Sequence, residues 1–127
     1  MPAGMVALPR IRRGCIYWVD FDLVRGSEQG KTRPALVIQN NMGNLTSKTT
    51  TVVPLSSRIP SKDYPFVVIL LEGFDGTPAV ILCQHIRTVS IDRIDPKVLG
   101  ELSSETMDKV EEAIRHQLGF SPETAGL

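Results

Sequence analysis

The sequence predicts a mainly β domain of the α+β class, in which a run of short strands is followed by one amphipathic helix. Its 127 residues are the usual length of one domain, so we expect a single domain over 1–127 with a core of about 12–120. Short apolar and β-branched runs fill the middle of the chain, and a helical repeat follows them. The ends, 1–10 and 121–127, are rich in Pro, Gly and Ala, and we expect them to be flexible.

Five segments, and a shorter sixth, have the composition of β-strands. They are rich in Val, Ile, Leu and Thr, and proline stands mainly at their ends, where a missing N–H is tolerated. The predicted strands are 15–20, 33–39, 50–55, 65–71 and 78–83, with 86–89 as the sixth. The run EGFDGT between the fourth and fifth strands carries two glycines and predicts a hairpin there.

The C-terminal segment 103–118 predicts an α-helix. Ser103 is a suitable N-cap, and Gly119 is a suitable stop. The apolar residues recur at steps of three and four, which places them on one face: Met107, Val110, Ile114 and Leu118. We expect this face to pack on the sheet, with a dimer contact as the alternative.

One further helix and two loops are predicted between these elements. Asp95 and Pro96, followed by Gly100, predict a one-turn helix with an aspartate cap and a proline at its first position. Segments 22–32 and 40–48 are polar and rich in Gly, Ser and amide side chains, so we expect loops. Because long loops in compact domains often bind ligands, both are candidate binding segments.

Composition excludes several classes of protein. No apolar run approaches the ~20 residues of a membrane helix, and the N-terminus does not resemble a signal peptide, so we expect a cytoplasmic protein without membrane contact. Cys15 and Cys83 lie far apart in apolar runs, which favours reduced, buried thiols over a disulfide. No Cys/His spacing or acidic cluster predicts a metal site, and we expect no cofactor.

Charge is unevenly distributed along a chain whose net charge is zero. Residues 1–58 carry eight Lys/Arg and three Asp/Glu, whereas residues 59–127 carry six Lys/Arg and eleven Asp/Glu. Such a molecule can present a cationic face to an anion while remaining neutral. The alternative is that folding mixes the two halves and removes the asymmetry.

Arg33 and Ser56 are the candidate catalytic residues for chemistry at a phosphodiester. Metal-free RNA cleavage needs proton transfer from the ribose 2′-OH and to the leaving 5′-oxygen, with donors that stabilise charge on the phosphoryl group. A guanidinium offers those oxygens a planar fork of donors, and a hydroxyl adds one more. Arg33 opens the second predicted strand and Ser56 follows the third, so both can face a shared cleft. The ordinary alternatives are a surface arginine and a serine turn.

The chain resembles the MazF/PemK toxin family. The resemblance begins at Arg13 with the run RGCIYWVDFDLVRGSEQGKTRPALVIQNNMGN, against a family pattern of RGDIYWVD, a GSEQG loop, RPALVIQND and a Gly-Asn turn. The later runs VILCQHIRTVS and LSSETMDKVEEAIRHQLGF are similar to the family's ending. The resemblance therefore covers nearly the whole chain.

The resemblance implies a small SH3-like antiparallel β-barrel with extra short strands, a one-turn helix and a C-terminal α-helix, assembled as a homodimer. It implies a metal-independent, sequence-specific endoribonuclease that cleaves single-stranded RNA, mostly mRNA, leaving 2′,3′-cyclic phosphate and 5′-hydroxyl ends. A cognate antitoxin would block it, and operator DNA would be met only through the antitoxin complex. The family's catalytic arginine stands in an Arg-Pro pair, here Arg33-Pro34, and its catalytic hydroxyl, usually threonine, is here Ser56.

RNA-binding residues are implied by the same resemblance. The GSEQG loop would form a lip whose polar side chains suit the edges of unpaired bases. Neighbouring cations suit phosphates, and the amides after the second strand are further candidates for base contacts. These residues are Arg25, Ser27, Glu28, Gln29, Lys31, Gln39 and Asn40. The alternative for the loop is a solvated turn.

The chain departs from the family pattern at two places. Cys15 stands where an acidic residue is usual. In some relatives an aspartate and an arginine in the LCQHIRT segment assist catalysis, but Leu82 and Gln84 stand at those positions here, so that pair is absent. Gln84, His85 and Arg87 are the candidate auxiliary residues of this segment. Histidine can move protons near neutral pH, whereas Arg87 is expected to support the site or the dimer contact.

Two other functions fit a small barrel of this kind. One is a gyrase-inhibiting toxin of the CcdB type, which shares the fold and binds a protein. The other is a non-catalytic SH3-like nucleic-acid-binding module. Arg33, the hydroxyl at position 56 and the GSEQG loop favour the nuclease, since fold alone does not decide function.

Overall fold

A computed structural model describes residues 9–22 and 31–123, which form a mainly β fold with two helices. The strands are β1 (Cys15–Asp20), β2 (Thr32–Val37), β3 (Thr49–Ser56), β4 (Val67–Leu70), β5 (Ala79–Leu82), β6 (Arg87–Ser90) and β7 (Gly100–Glu101). The helices are α1 (Asn41–Thr46) and α2 (Ser104–Gln117), with one 3₁₀ turn at Ile91–Arg93. All six predicted strands are confirmed, with ends that differ by two residues at most.

The strands form one curled antiparallel sheet in the order β4-β5-β3-β2-β1-β7, with β6 also paired to β3. On one edge β3 pairs with β2. On its other edge β3 pairs first with β6 and then, through its last two residues, with β5. Because β5 and β6 follow each other along that edge around a turn, the sheet bends there into a half-barrel. The predicted β4–β5 hairpin is confirmed by their antiparallel pairing.

Each face of the sheet carries its own apolar core, as expected for strands whose side chains alternate between faces. One core joins the sheet to α2 and includes Ile16, Leu36, Val53, Leu55, Met107 and Val110. The other lies on the opposite face and includes Tyr17, Val19, Ala35, Val37 and Val52. A sheet buried on both sides explains why the strands read as continuous apolar runs.

Helix α2 packs on the sheet through the apolar face that the sequence predicts. Ser103 caps it by accepting a hydrogen bond from the Thr106 N–H at 3.1 Å. Beyond Gly119, which has a φ of +79°, the hydroxyl of Ser121 donates to Glu112 at 2.8 Å. This hydrogen bond is the main cause of the lowered pKa of Glu112. Ser121 is buried, so the chain remains packed against the helix just beyond its end.

The sequence predicts a one-turn helix over 95–100, but the structure has no helix at these residues. Residues 95–99 instead run along β1, where the Asp95 N–H donates to the Trp18 carbonyl and the Leu99 N–H donates to the Ile16 carbonyl. Gly100 then enters β7 and pairs with Ile16. The prediction of a helix at 95–100 was wrong, because these backbone groups find partners in a neighbouring strand.

The segment predicted as a loop at 40–48 contains helix α1. Asn40 caps this helix by accepting the Gly43 N–H at 2.8 Å. The buried Asn44 accepts a hydrogen bond from the buried Thr50 hydroxyl at 2.6 Å, which ties the helix to β3. The polar residues that suggested a loop are therefore the cap and anchor of a short helix. Of the other predicted loop, 22–32, residues 23–30 lie outside the described residues.

Cys15 and Cys83 are buried free thiols, as predicted. Burial raises the pKa of Cys83 to about 12, because an apolar environment disfavours the thiolate. Within residues 9–22 and 31–123, no helix has both the length and the apolar character needed to cross a membrane.

Candidate functional site

The register between β2 and β3 brings Arg33 and Ser56 together. Ala35 lies opposite Pro54, and continuing this antiparallel register by two residues places Arg33 opposite Ser56. Directly opposed residues of neighbouring strands project from the same face of the sheet. The alternation along β2 puts Arg33 on the face of Ala35 and Val37, away from α2.

A first cavity of about 520 Å³ lies beside these two residues. Arg33 and Ser56 line it together with Arg58, and the β4–β5 hairpin supplies Phe74 and Asp75 on the other side. Further lining comes from Pro34, Leu55, Ser57, Thr77, Pro78 and Ala79. The cleft therefore combines two guanidinium groups and one carboxylate with hydroxyls and an apolar wall, so the cations outnumber the anion where a phosphate would bind.

The hydroxyl of Ser56 is held in place by the chain that follows it. Its Oγ accepts a hydrogen bond from the Arg58 N–H at 3.1 Å, which is the serine turn expected for this position. Since the hydroxyl accepts this bond, its proton is free to be donated to a ligand in the cleft. The turn and the functional role are therefore compatible.

A second cavity, of about 280 Å³, also borders Arg33 and is lined by cations. Lys31, Arg33 and Arg87 line it with His85, and no described Asp or Glu does so. Its apolar lining is Phe21, Pro54 and Leu82. Arg33 therefore borders both cavities, and it shares the second one with three other basic side chains.

Gln84 lies in the turn between β5 and β6, one residue before His85. Its Oε1 is buried and has no hydrogen-bond partner among the described residues. The three predicted auxiliary residues of this segment therefore do not all lie at the cleft. His85 and Arg87 line the cationic cavity, whereas Gln84 lines neither cavity.

Gln39 and Asn40 lie at the opposite end of β2 from Arg33. Six residues of extended strand separate Gln39 from Arg33, a distance of about 20 Å. The Gln39 amide donates to Asn44 at 3.1 Å and to the Thr49 carbonyl at 3.0 Å, and Asn40 caps α1. Both side chains are engaged in the fold and are not brought to the cleft.

The four predicted RNA-binding residues of the GSEQG region lie outside the described residues. They are Arg25, Ser27, Glu28 and Gln29. Lys31, which follows them, is described and lines the cationic cavity beside Arg33. No group of three or more His, Cys, Asp or Glu side chains in the described ranges is arranged to hold a metal ion.

Sequence reasoning missed several residues of the cleft. Phe21 continues the buried alternation of Cys15, Tyr17 and Val19, and that alternation was the signal that could have found it. Arg58 is a cation two positions after the candidate serine, which was a weaker signal. Phe74 lies between β4 and β5 and lines the cleft through tertiary packing of the hairpin. Nothing in the local sequence indicates that position.

The fold and the cleft define a small curled β-sheet protein with a cationic groove at one end of its central strands. Residues 12–118 match the family described as PemK-like, MazF-like toxin of type II toxin-antitoxin system. The chain therefore belongs to this toxin family, which confirms the resemblance seen in the sequence.

Individual relatives agree with the family. Endoribonuclease EndoA of Bacillus subtilis (strain 168) is 40% identical over 113 residues, covering 87% of this chain and 96% of that protein. The structure of MazF from Deinococcus radiodurans is 28% identical with a TM-score of 0.69, covering 90% of this chain and 99% of that one. A structure of MazE–MazF from the same organism is 27% identical, with a TM-score of 0.70, and covers 87% and 98%. The chain is thus a homologue of endoribonucleases of the EndoA/MazF type.

Proposed function

We propose that this chain is a toxin that cleaves single-stranded RNA, chiefly mRNA, at a short sequence and without a metal ion. The ribose 2′-OH would attack the adjacent phosphorus, leaving a 2′,3′-cyclic phosphate and a 5′-hydroxyl. The observation that carries the proposal is the placement of Arg33 opposite Ser56, in a cleft whose second half is cationic. Such a cleft can bind a chain of phosphates and concentrate positive charge at one of them.

Arg33 has the electrostatic role in this proposal. As the phosphorus gains a fifth oxygen, negative charge builds on the phosphoryl oxygens, and a guanidinium can bind two of them at once. Arginine stays protonated in proteins, so it stabilises this charge rather than accepting the 2′-OH proton. Within the part of the chain that the structure describes, no Asp or Glu lies within ion-pairing distance of Arg33.

Ser56 and His85 complete the assignment. The Ser56 hydroxyl, oriented by the Arg58 N–H, donates a hydrogen bond to the same phosphate. His85 lines the cationic cavity that Arg33 borders and has the auxiliary role of exchanging a proton there. Lys31, Arg58 and Arg87 bind flanking phosphates.

A cognate antitoxin and a second copy of the chain are the proposed partners. The antitoxin is supported by the family, whose members belong to toxin–antitoxin systems, and by the MazE–MazF structure of a relative. A cationic cleft is complementary to an acidic segment, so an antitoxin could cover the groove that binds RNA. The gyrase-inhibiting and non-catalytic alternatives are less well supported, since neither needs a hydroxyl paired with an arginine.

The chemistry is tested by digesting a long transcript with the purified chain in excess EDTA. We expect cleavage to continue, and the new 5′ ends to accept label from polynucleotide kinase without prior phosphatase treatment. We expect Ser56→Ala to slow cleavage by about tenfold to a hundredfold, the effect of one lost hydrogen bond to a charged group. Ser56→Thr, which restores the hydroxyl, should recover most of that loss.

Loss of activity in EDTA, or products with 5′-phosphates, would overturn the metal-free mechanism. A Ser56→Ala variant as active as the parent chain would remove the hydroxyl from it. Binding of the transcript without any cleavage would instead favour the nucleic-acid-binding module.

A further inference from the structure

Phe21 and Arg87 make a contact that the proposed mechanism leaves unexplained. The Arg87 Cζ lies 5.0 Å from the centre of the Phe21 ring, within the range of a cation–π interaction. Phe21 is only 7% exposed and follows β1, whereas Arg87 begins β6 opposite Val52. Both line the cationic cavity that Arg33 borders. The ring thus supports a guanidinium beside the candidate catalytic arginine.

Arg87 lies between two environments that attract a cation differently. On one side is the cationic cavity, where it stands with Lys31 and Arg33. On the other is a smaller cavity of about 170 Å³, which Arg87 lines with Asp20, Asp22 and Arg93. Arg93 already pairs with Asp20, so the main force that would draw an unsupported Arg87 out of the cleft is repulsion from Lys31 and Arg33.

We infer that Phe21 is a positioning residue that holds the Arg87 guanidinium in the cleft, where it binds a phosphate of the RNA next to the scissile one. This inference rests on the proposed function and adds a residue to it. The ring offers Arg87 a favourable position on the cleft side. That position offsets the repulsion from Arg33 before substrate arrives.

The position of the guanidinium over the ring suits this task. A guanidinium that contacts a ring through its flat face keeps its N–H donors at the edge. Those donors can then form two parallel hydrogen bonds to a phosphate. An aliphatic side chain at position 21 could fill the same space, but it would offer no π face.

The alternative is that Phe21 only fills the core beneath β6. Phe21 belongs to the buried cluster that includes Tyr17, Val19 and Val52, so a purely structural role must be separated from positioning. Thermal stability responds to both roles. The dependence of cleavage on salt responds only to the number of phosphates neutralised, which makes it the decisive readout.

The test compares Phe21→Leu, Phe21→Tyr, Arg87→Gln and the double variant Phe21→Leu/Arg87→Gln. For each, kcat/KM on a long transcript is measured at several NaCl concentrations, with the melting temperature taken from the same preparation. We expect Arg87→Gln to lower kcat/KM about tenfold and to flatten the log–log salt slope by about 0.7, the value of one phosphate contact on single-stranded RNA. Phe21→Leu should flatten the slope in the same way and lower kcat/KM about fivefold.

Two further results complete the expectation. Phe21→Leu should cause no additional loss in the Arg87→Gln background, because the positioned group is already absent. Phe21→Tyr restores the ring and should restore the slope and most of the rate. If Phe21→Leu does not fold, Phe21→Met serves in its place, because methionine adapts to irregular core space.

An unchanged salt slope in Phe21→Leu, or additive losses in the double variant, would overturn the inference while leaving the proposed function intact. A parent chain that cleaves no RNA would fail the proposed function itself. The two failures are therefore distinguishable in one set of measurements.

Discussion

At the scale of single residues, function depends on side chains that are distant in sequence and meet across two strands. Arg33 lies opposite Ser56 when the register of β2 and β3 is continued by two residues, and both line one cavity. A slip of one residue in that register would turn one of the two to the other face of the sheet. The neighbouring cations Lys31 and Arg87 then make Arg33 part of a groove rather than an isolated charge.

The buried thiol of Cys83 gives a residue-scale prediction that needs no RNA. Its pKa of about 12 leaves only about one thiol in ten thousand ionised at pH 8, and the thiolate is the species that reacts. We expect iodoacetamide at pH 8 to leave Cys83 unmodified in the folded protein and to modify it in guanidinium chloride. Peptide mapping distinguishes Cys83 from Cys15, and rapid modification of Cys83 in the native protein would contradict the structure.

Sequence alone could predict the candidate pair and its neighbours Lys31, His85 and Arg87, but not the aromatic lining of the cleft. Arg33 and Ser56 stand at strand ends and match a family motif, so their types and positions were informative. Phe21 and Phe74 are ordinary apolar residues whose place in the cleft depends on how the sheet curls and where the hairpin folds. Contacts of that kind arise from tertiary packing, and no local pattern encodes them.

At the scale of elements, periodicity predicted the strands and α2, while short polar segments were harder to interpret. Asp95 and Gly100 are residue types that commonly begin and end a helix. Here the backbone between them forms hydrogen bonds with β1 instead. Conversely, the amide residues at 40–44 suggested a loop and instead cap and anchor α1. Short segments have few internal hydrogen bonds, so neighbouring strands decide their structure.

The β4–β5 hairpin gives the prediction at this scale. Gly73 has a φ of +57°, and a Cβ there would lie 2.1 Å from the Thr77 carbonyl oxygen. Gly76 has a φ of +86°, but a Cβ there would meet nothing within 4 Å. We expect Gly73→Ala to lower the free energy of unfolding by about 2–4 kcal/mol, and the matched control Gly76→Ala by about 1 kcal/mol. Urea denaturation measures both, and equal losses would show that the turn is not built as described.

At the scale of the whole molecule, the two faces of the sheet differ in charge. Two arginines line one cavity on the face away from α2: Arg33 belongs to the basic first half of the chain, and Arg87 belongs to the acidic second half. Helix α2 covers the other face and carries four carboxylates against the two cations Lys109 and Arg115. Folding therefore mixes the two halves of the sequence but keeps positive charge at the cleft, as a protein that binds a polyanion requires.

The central claim is that the Arg33 guanidinium stabilises the transition state of RNA cleavage. Its most direct test is the single-turnover cleavage rate of Arg33→Ala in EDTA, beside Arg115→Ala as a matched control. Arg115 is exposed on α2 and pairs with Glu112 on the other side of the sheet. We expect Arg33→Ala to lose about 10²–10³-fold in rate with an unchanged melting temperature, and Arg115→Ala to cleave like the parent chain. An Arg33→Ala variant that cleaves RNA at the parent rate would contradict the account.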